Sequence, residues 1–270
     1  MSPVFKNLLL QGLGTTTTFV PTSLALSSKL MPKSSLLYYI TDRAAFPGDE
    51  RRRRLRLLDK IAEAASHGLD YIQLREKDLP TRELESLAYE AVQAVREATR
   101  TIRQERKLAT GRWPLTTALL INSRTDVALA TAAAGVHLPA NDVSPEEVRA
   151  AWKCGEDKCG AGALARENSP RNPPIAVSCH SPQEVAQAAA NRATFAVFAP
   201  VFEKRDTPGT TPTGLDALRQ ACRASIPVLA LGGVTLRNAE SCLQAGAAGI
   251  AAIRLFQEND IATIVRHLRG

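Results

Sequence analysis

The chain predicts a single (β/α)8 TIM barrel, and three observations carry that expectation. Short apolar runs alternate with amphipathic stretches almost without a break from residue 36 to residue 268. Eight such runs can be counted, whereas an open doubly wound sheet would usually have fewer and would carry Gly-x-Gly-x-x-Gly near its first strand, which is absent. The last two runs are glycine-rich: Val228-Leu229-Ala230-Leu231-Gly232-Gly233-Val234 and Ala245-Gly246-Ala247-Ala248-Gly249-Ile250-Ala251-Ala252-Ile253-Arg254. The Gly232-Gly233 pair is expected to open a helix, where bare N–H groups and the helix dipole favour phosphate. Barrels commonly hold a phosphate there, after strands seven and eight.

In order, strands are expected at 36–41, 71–74, 118–121, 136–138, 175–178 and 195–198, followed by the two glycine-rich runs. Helices are expected at 51–67, about 81–98, near 125–133, from 144, from 181, from 213, and at 261–268. Ser144-Pro145-Glu146-Glu147 reads as a Ser cap with Pro at the first helical position and Glu at the third, and Ser181-Pro182-Gln183-Glu184 reads alike. Two insertions, 99–117 and 155–174, fall on helix-to-strand connections, the barrel face away from chemistry. Domain boundaries follow: a disordered N-terminal tail over 1–34 and the barrel over 35–270, with Met31 as a second candidate start.

Composition narrows the class. Hydrophobic residues make up 44% of 270, enough for one large core, and the net charge is +7. Much of the excess lies in Arg51 to Arg54 and around Arg96 to Arg112, which read as helix surface or loop. Aromatics are 5%, too few for base stacking, so a small anionic substrate is preferred to nucleic acid. Five cysteines form no even framework, which points to a reducing, cytoplasmic setting. No run reaches the roughly 18 apolar residues of a membrane span. A homo-oligomer is compatible with all of this.

Residues just past each strand face the barrel's mouth. Strand two ends in Gln73-Leu74-Arg75-Glu76-Lys77, and alternation places Gln73, Arg75 and Lys77 on one side. Arg75 and Lys77 suit phosphate or pyrophosphate, unless a salt-bridge ladder with Glu76 or Asp78 consumes them. Asn122 is a site amide or a helix cap. Asp142 is a Mg²⁺ carboxylate or another cap. His180, in Ser178-Cys179-His180-Ser181, is a candidate proton carrier. Lys204 opens a Thr-, Pro- and Gly-containing run, 205–213, suited to a loop over the site.

These segments resemble the thiamine phosphate synthase/TenI family, in order, over about 36–268. The carrying pieces are Tyr39-Ile40-Thr41-Asp42, Gln73 through Lys77, Asn122 through Asp142, Val177 to Ser181, Ala199-Pro200-Val201-Phe202, and Leu231-Gly232-Gly233-Val234 with Gly246 to Ile253. The resemblance implies one of two activities. A synthase joins a pyrimidine methyl pyrophosphate to a thiazole phosphate, with Mg²⁺ assisting pyrophosphate release. A TenI-type tautomerase shifts a proton on a thiazole carboxylate phosphate, needs no cofactor and uses a histidine after strand five.

Three departures from the synthase pattern favour the TenI-like branch: Asn122-Ser123 where Asn-Asp is typical, Pro139-Ala140 where Gly-Gln is typical, and Glu203 to Thr207 where Thr-x-Thr-Lys is typical. The first expectation is therefore a thiazole tautomerase. His180 relays the proton, Ser178 and Asn122 orient the ring, and Gly232, Gly233 and the backbone at Ile253 and Arg254 hold the phosphate. The alternative is the synthase, with Asp142 as sole metal carboxylate and Arg75, Lys77 and Lys204 gripping pyrophosphate. A non-catalytic thiazole phosphate binder or regulator is the third.

Overall fold

The computed structural model describes residues 35–106, 116–157, 172–203, 209 and 211–270. Eight parallel strands close in sequence order: β1 Leu36–Ile40, β2 Tyr71–Leu74, β3 Ala118–Asn122, β4 Gly135–Leu138, β5 Ile175–Cys179, β6 Phe195–Phe198, β7 Val228–Ala230 and β8 Gly249–Ala252. The seam between first and last strands pairs Leu36 with Gly249 and Tyr39 with Ala252. The expected barrel is what forms.

Period-two alternation makes two apolar layers. Tyr38, Ile40, Leu120, Ala176, Phe195, Val197, Leu229 and Ala251 fill the interior. Leu37, Tyr39, Ile72, Leu74, Leu119, Ile121, Val136 and Leu138 face outward into the helix layer. With both faces buried, the strands read as continuous apolar runs. An aromatic cluster packs the interior: Phe195 lies 4.6 Å from Tyr71 and 5.5 Å, edge-on, from Tyr38 between ring centroids.

The helices among the described residues are α1 Glu50–Ser66, α2 Thr81–Arg106, α3 Thr125–Thr131, α4 Pro145–Asp157, α5 Pro182–Ala190, α6 Gly214–Ala221, α7 Ala239–Gln244, α8 Arg254–Gln257 and α9 Ile261–Arg269. Both expected Ser caps form. Ser144 Oγ accepts from the Glu147 amide while Glu147 accepts from the Ser144 amide, and Ser181 accepts from the Glu184 amide. Helix α2 overruns its expected end at 98 and continues to Arg106, inside the first predicted insertion. The cause is visible in Thr99-Arg100-Thr101-Ile102-Arg103-Gln104-Glu105-Arg106, which holds no Gly or Pro to stop it. Helix α4 likewise enters the second insertion as far as Asp157. The expected tail 1–34 and the remainders of both insertions, 107–115 and 158–171, lie outside the described residues.

A second correction concerns the glycine pair. Strand β7 stops at Ala230, and α7 starts only at Ala239, after a turn in which the Asn238 side chain accepts from the Thr235 amide. Gly232 and Gly233 therefore belong to a loop and do not open a helix.

The N-terminal end of the barrel is tied shut. Arg269, at the end of α9, pairs with Asp70 ahead of β2, donates to the Gly68 carbonyl at 2.8 Å, and donates to the Ser35 carbonyl at 3.1 Å. Asp70 also accepts from the Leu37 amide, and Ser35 Oγ donates to the Leu268 carbonyl, each at 2.8 Å. Burial raises the Asp70 carboxyl and lowers the Arg269 guanidinium, so desolvation outweighs their attraction. Among the described residues, no helix is long and apolar enough to cross a membrane.

Candidate active site

The opposite, C-terminal end collects the polar residues. At the end of β2, Gln73 and Glu76 part to opposite sides as expected. Gln73 points inward and donates from Nε2 to Asn122 Oδ1 at 2.9 Å, and Asn122 donates in turn to Ser123 Oγ at 3.1 Å. Glu76 points the other way into a buried anchor. It accepts from Thr41 Oγ1 at 2.5 Å and from the Arg43 amide at 3.0 Å, while the Arg43 guanidinium grips Asp78 at 2.8 and 2.9 Å and Glu50 at 2.6 Å. Burial raises the Glu76 carboxyl, and the Thr41 and Arg43 bonds oppose that rise. Thr41 Oγ1 also accepts from the Arg75 amide at 3.0 Å, so the anchor fixes the backbone that carries Arg75 and Lys77.

The salt-bridge ladder weighed for Arg75 and Lys77 thus belongs to Arg43. Among the described residues, neither Arg75 nor Lys77 forms an ion pair. The Arg75 charge, followed by partial desolvation, lowers the Lys77 ammonium. Arg75 and Lys77, on either side of Glu76, are therefore candidates for holding an anion.

Strand β4 contributes His137, whose Nε2 lies 2.7 Å from Ser178 Oγ and whose Nδ1 lies 2.9 Å from the Tyr38 hydroxyl. Burial, and then the Arg75 charge, push this imidazole down to about 3, so it is neutral at physiological pH. Sequence reasoning placed no role on Tyr38 or His137. The available signal was alternation, which turns His137 inward between the outward Val136 and Leu138.

His180 follows β5 and is exposed. Its ring Nδ1 lies 2.7 Å from the Ala199 carbonyl, which can only accept, so Nδ1 carries a proton. Its amide donates to Glu184 Oε2 at 2.6 Å. The segment that begins at Ala199 also backs the glycine turn. The Val201 amide donates to Leu231 O at 2.9 Å, and that of Phe202 to Gly232 O at 3.0 Å. Gly232 and Gly233 have φ of 95° and 65°, and a Cβ on Gly233 would sit 2.4 Å from the Glu203 carbonyl. Only glycine satisfies both the backbone angle and that approach. His180 and the glycine turn therefore share one wall.

The Ile253-Arg254 backbone forms the start of α8, a single turn held by a residue that sequence reasoning missed. Gln257 accepts from Tyr39 at 2.8 Å and from the Asp42 amide at 3.2 Å, and donates to the Asp42 carbonyl at 2.7 Å. Arg254 lies 3.8 Å from Glu258. Asp142 is exposed on the loop before α4, where it accepts from the Val143 amide at 2.8 Å; Ser144 takes the cap, so Asp142 is not needed for it. Lys204 lies outside the described residues. Cavities of about 320 and 300 Å³ lie toward the N-terminal end, beside Arg149 and Asp70 respectively, and not at this mouth. Among the described residues, no group of three or more His, Cys, Asp or Glu side chains could hold a metal.

Comparison with known proteins gives the frame for these residues. The family model described as thiamine monophosphate synthase (TMP-TENI) matches residues 37–256. The chain belongs to the thiamine phosphate synthase/TenI family. The family's thiamine-phosphate synthase from Methanoculleus marisnigri is 34% identical over 236 residues, covering 86% of this chain and 93% of that protein. The one from Roseiflexus castenholzii is 32% identical over 220 residues, covering 81% and 79%. The thiamine phosphate pyrophosphorylase of Pyrococcus furiosus superposes with a TM-score of 0.61 at 26% identity, over 88% of this chain and 98% of that one.

These relatives overturn the expected TenI-like branch. The departures at Ser123, Pro139-Ala140 and 203–207 are three short stretches, and they carry less information than identity spread over more than 200 aligned residues. Part of the third departure, 204–208, also lies outside the described residues. Membership of this family makes the chain an enzyme of thiamine-phosphate metabolism.

Proposed function

We propose that this protein is a thiamine phosphate synthase, coupling a pyrimidine methyl pyrophosphate to a thiazole phosphate. The observation that carries this is the Arg75–Lys77 pair, two cations on an anchored loop that form no ion pair among the described residues. A dianionic or trianionic leaving group uses both, whereas a proton shift on a thiazole phosphate has no evident need of them.

In the reaction the bond between the pyrimidine methylene carbon and the pyrophosphate oxygen breaks, and its electron pair leaves with the oxygen. The thiazole nitrogen lone pair then forms the new carbon–nitrogen bond. Arg75 and Lys77, with Lys204, hold the departing charge. Gln73, Asn122 and Ser178 contact the pyrimidine ring. The Gly232-Gly233 turn and the Ile253-Arg254 backbone receive the thiazole phosphate. Asp142 is suited to Mg²⁺ that takes its other ligands from water and pyrophosphate, because that ion needs only one or two carboxylates. When bound there, Mg²⁺ neutralises leaving-group charge.

The test is incubation of the purified chain with both halves, with and without Mg²⁺. Thiamine phosphate and pyrophosphate should appear in equal amounts and only with the metal. Failure to form product from the two halves, with Mg²⁺ present and the protein folded, overturns the assignment.

A further inference from the structure

Three polar groups stand in line from the aromatic interior to the mouth: the Tyr38 hydroxyl, the His137 imidazole and the Ser178 hydroxyl, joined at 2.9 and 2.7 Å. A hydroxyl can donate or accept, and a neutral imidazole carries one proton, so the line has two polarities. In the first, Tyr38 donates to Nδ1, Nε2–H donates to Ser178, and the Ser178 proton is left over. In the second, Ser178 donates to Nε2, Nδ1–H donates to Tyr38, and the Tyr38 proton is left over.

The surroundings decide between them. Tyr38 is fully buried, with the rings of Tyr71 and Phe195 at 5.8 and 5.5 Å, and its hydroxyl has His137 as its hydrogen-bond partner among the described residues. A leftover proton there would lack an acceptor among the described residues, the costly state for a buried donor. Ser178 is only partly buried, and its leftover proton can reach a ligand or solvent. A doubly protonated His137 is disfavoured by burial and by the nearby Arg75 charge. Burial also keeps the Tyr38 phenol protonated.

We propose that Tyr38, acting through His137, fixes Ser178 as a hydrogen-bond donor toward the mouth. Tyr38 and His137 are then positioning residues, and the group that meets Ser178 is an acceptor, such as a ring nitrogen lone pair or a phosphate oxygen. An amino group or ring N–H at that place is rejected, because it would face a proton. Which part of the substrate supplies the acceptor rests on the synthase assignment; the polarity of the line does not.

The test has two arms. The full, ligand-free chain is labelled with ¹⁵N-histidine, and His137→Gln identifies the His137 signals among the four histidines. Nε2 should be proton-bearing and Nδ1 proton-free at neutral pH; the reverse pattern, or two protonated nitrogens, overturns the proposal. In the second arm, Tyr38→Phe should lower kcat about tenfold in the wild-type background, as loss of one hydrogen bond's worth of orientation. It should have no further effect in the Ser178→Ala background. Equal losses in both backgrounds would show a merely structural role and overturn it. Absence of thiamine phosphate formation by the wild type sinks the synthase assignment and leaves the labelling arm to decide the polarity.

Discussion

The two ends of this barrel treat charge in opposite ways. At the N-terminal end Arg269 is enclosed by Asp70 and by the carbonyls of Gly68 and Ser35, and Arg149 is spent on the carbonyls of Pro173 and Arg192 and on side chains of Asn172 and Thr194. At the C-terminal end Arg43 is consumed in the same manner, but Arg75 and Lys77, on either side of its partner Glu76, form no ion pair among the described residues. Under the proposed function the difference separates charges that build from charges that bind. The building pair tolerates desolvation because its partner is inside the protein; Arg75 and Lys77 would take theirs from the substrate.

Breaking the building pair should have the largest effect. Asp70→Ala removes the carboxylate that pairs with the buried Arg269 guanidinium, and should cost about 3–5 kcal/mol in urea unfolding. The turnover of the protein that remains folded should be unchanged, since the mouth lies at the far end. A loss of turnover without a loss of stability would contradict the division. The complementary change, Arg75→Met, should lower kcat/KM about 100–1,000-fold, the scale seen when one preorganised donor to developing charge is removed. Its melting temperature should stay level or rise, because the Lys77 ammonium loses a like-charged neighbour. Destabilisation on the scale of Asp70→Ala would place Arg75 among the building charges.

His137 sharpens the contrast from the barrel interior. Its folded value, about 3, lies below the ordinary 6.5, so its contribution to stability is full above pH 6.5 and is lost as pH falls toward 3. The stability gap between wild type and His137→Gln should shrink with acidification, by at most about 1.4 kcal/mol per pH unit. A gap that is flat from pH 7 to about pH 4, measured by urea unfolding, would mean that His137 is not held neutral by its surroundings.

Strand positions were readable in the sequence because both faces of a closed parallel sheet are buried, leaving apolar runs punctuated by polar helix starts. The polar end of β2 stood out for a related reason: Gln73, with Arg75 and Lys77 just past the strand, breaks an apolar pattern where function or pairing explains it. What escaped was pairing across the barrel. Tyr38 and His137 are 99 residues apart, and Tyr39 and Gln257 are 218 apart, so their contacts depend on closure rather than on local pattern. Arg43 as owner of Glu76 and Asp78 was hidden similarly, since the nearer cations Arg75 and Lys77 looked like the natural partners. The end of α2 escaped because its sequence contains no breaker, and the branch of the family because single polar differences were given more weight than the whole aligned length.

Ser35 Oγ reaches the carbonyl of Leu268, and β1 is zipped to β8 by the same parallel register as any other neighbouring pair. The seam is thus indistinguishable in kind from the other joints of the ring. Because β1 and β8 pair, neither is an edge strand, and no row of unpaired strand N–H and C=O groups is offered at this joint to a second chain.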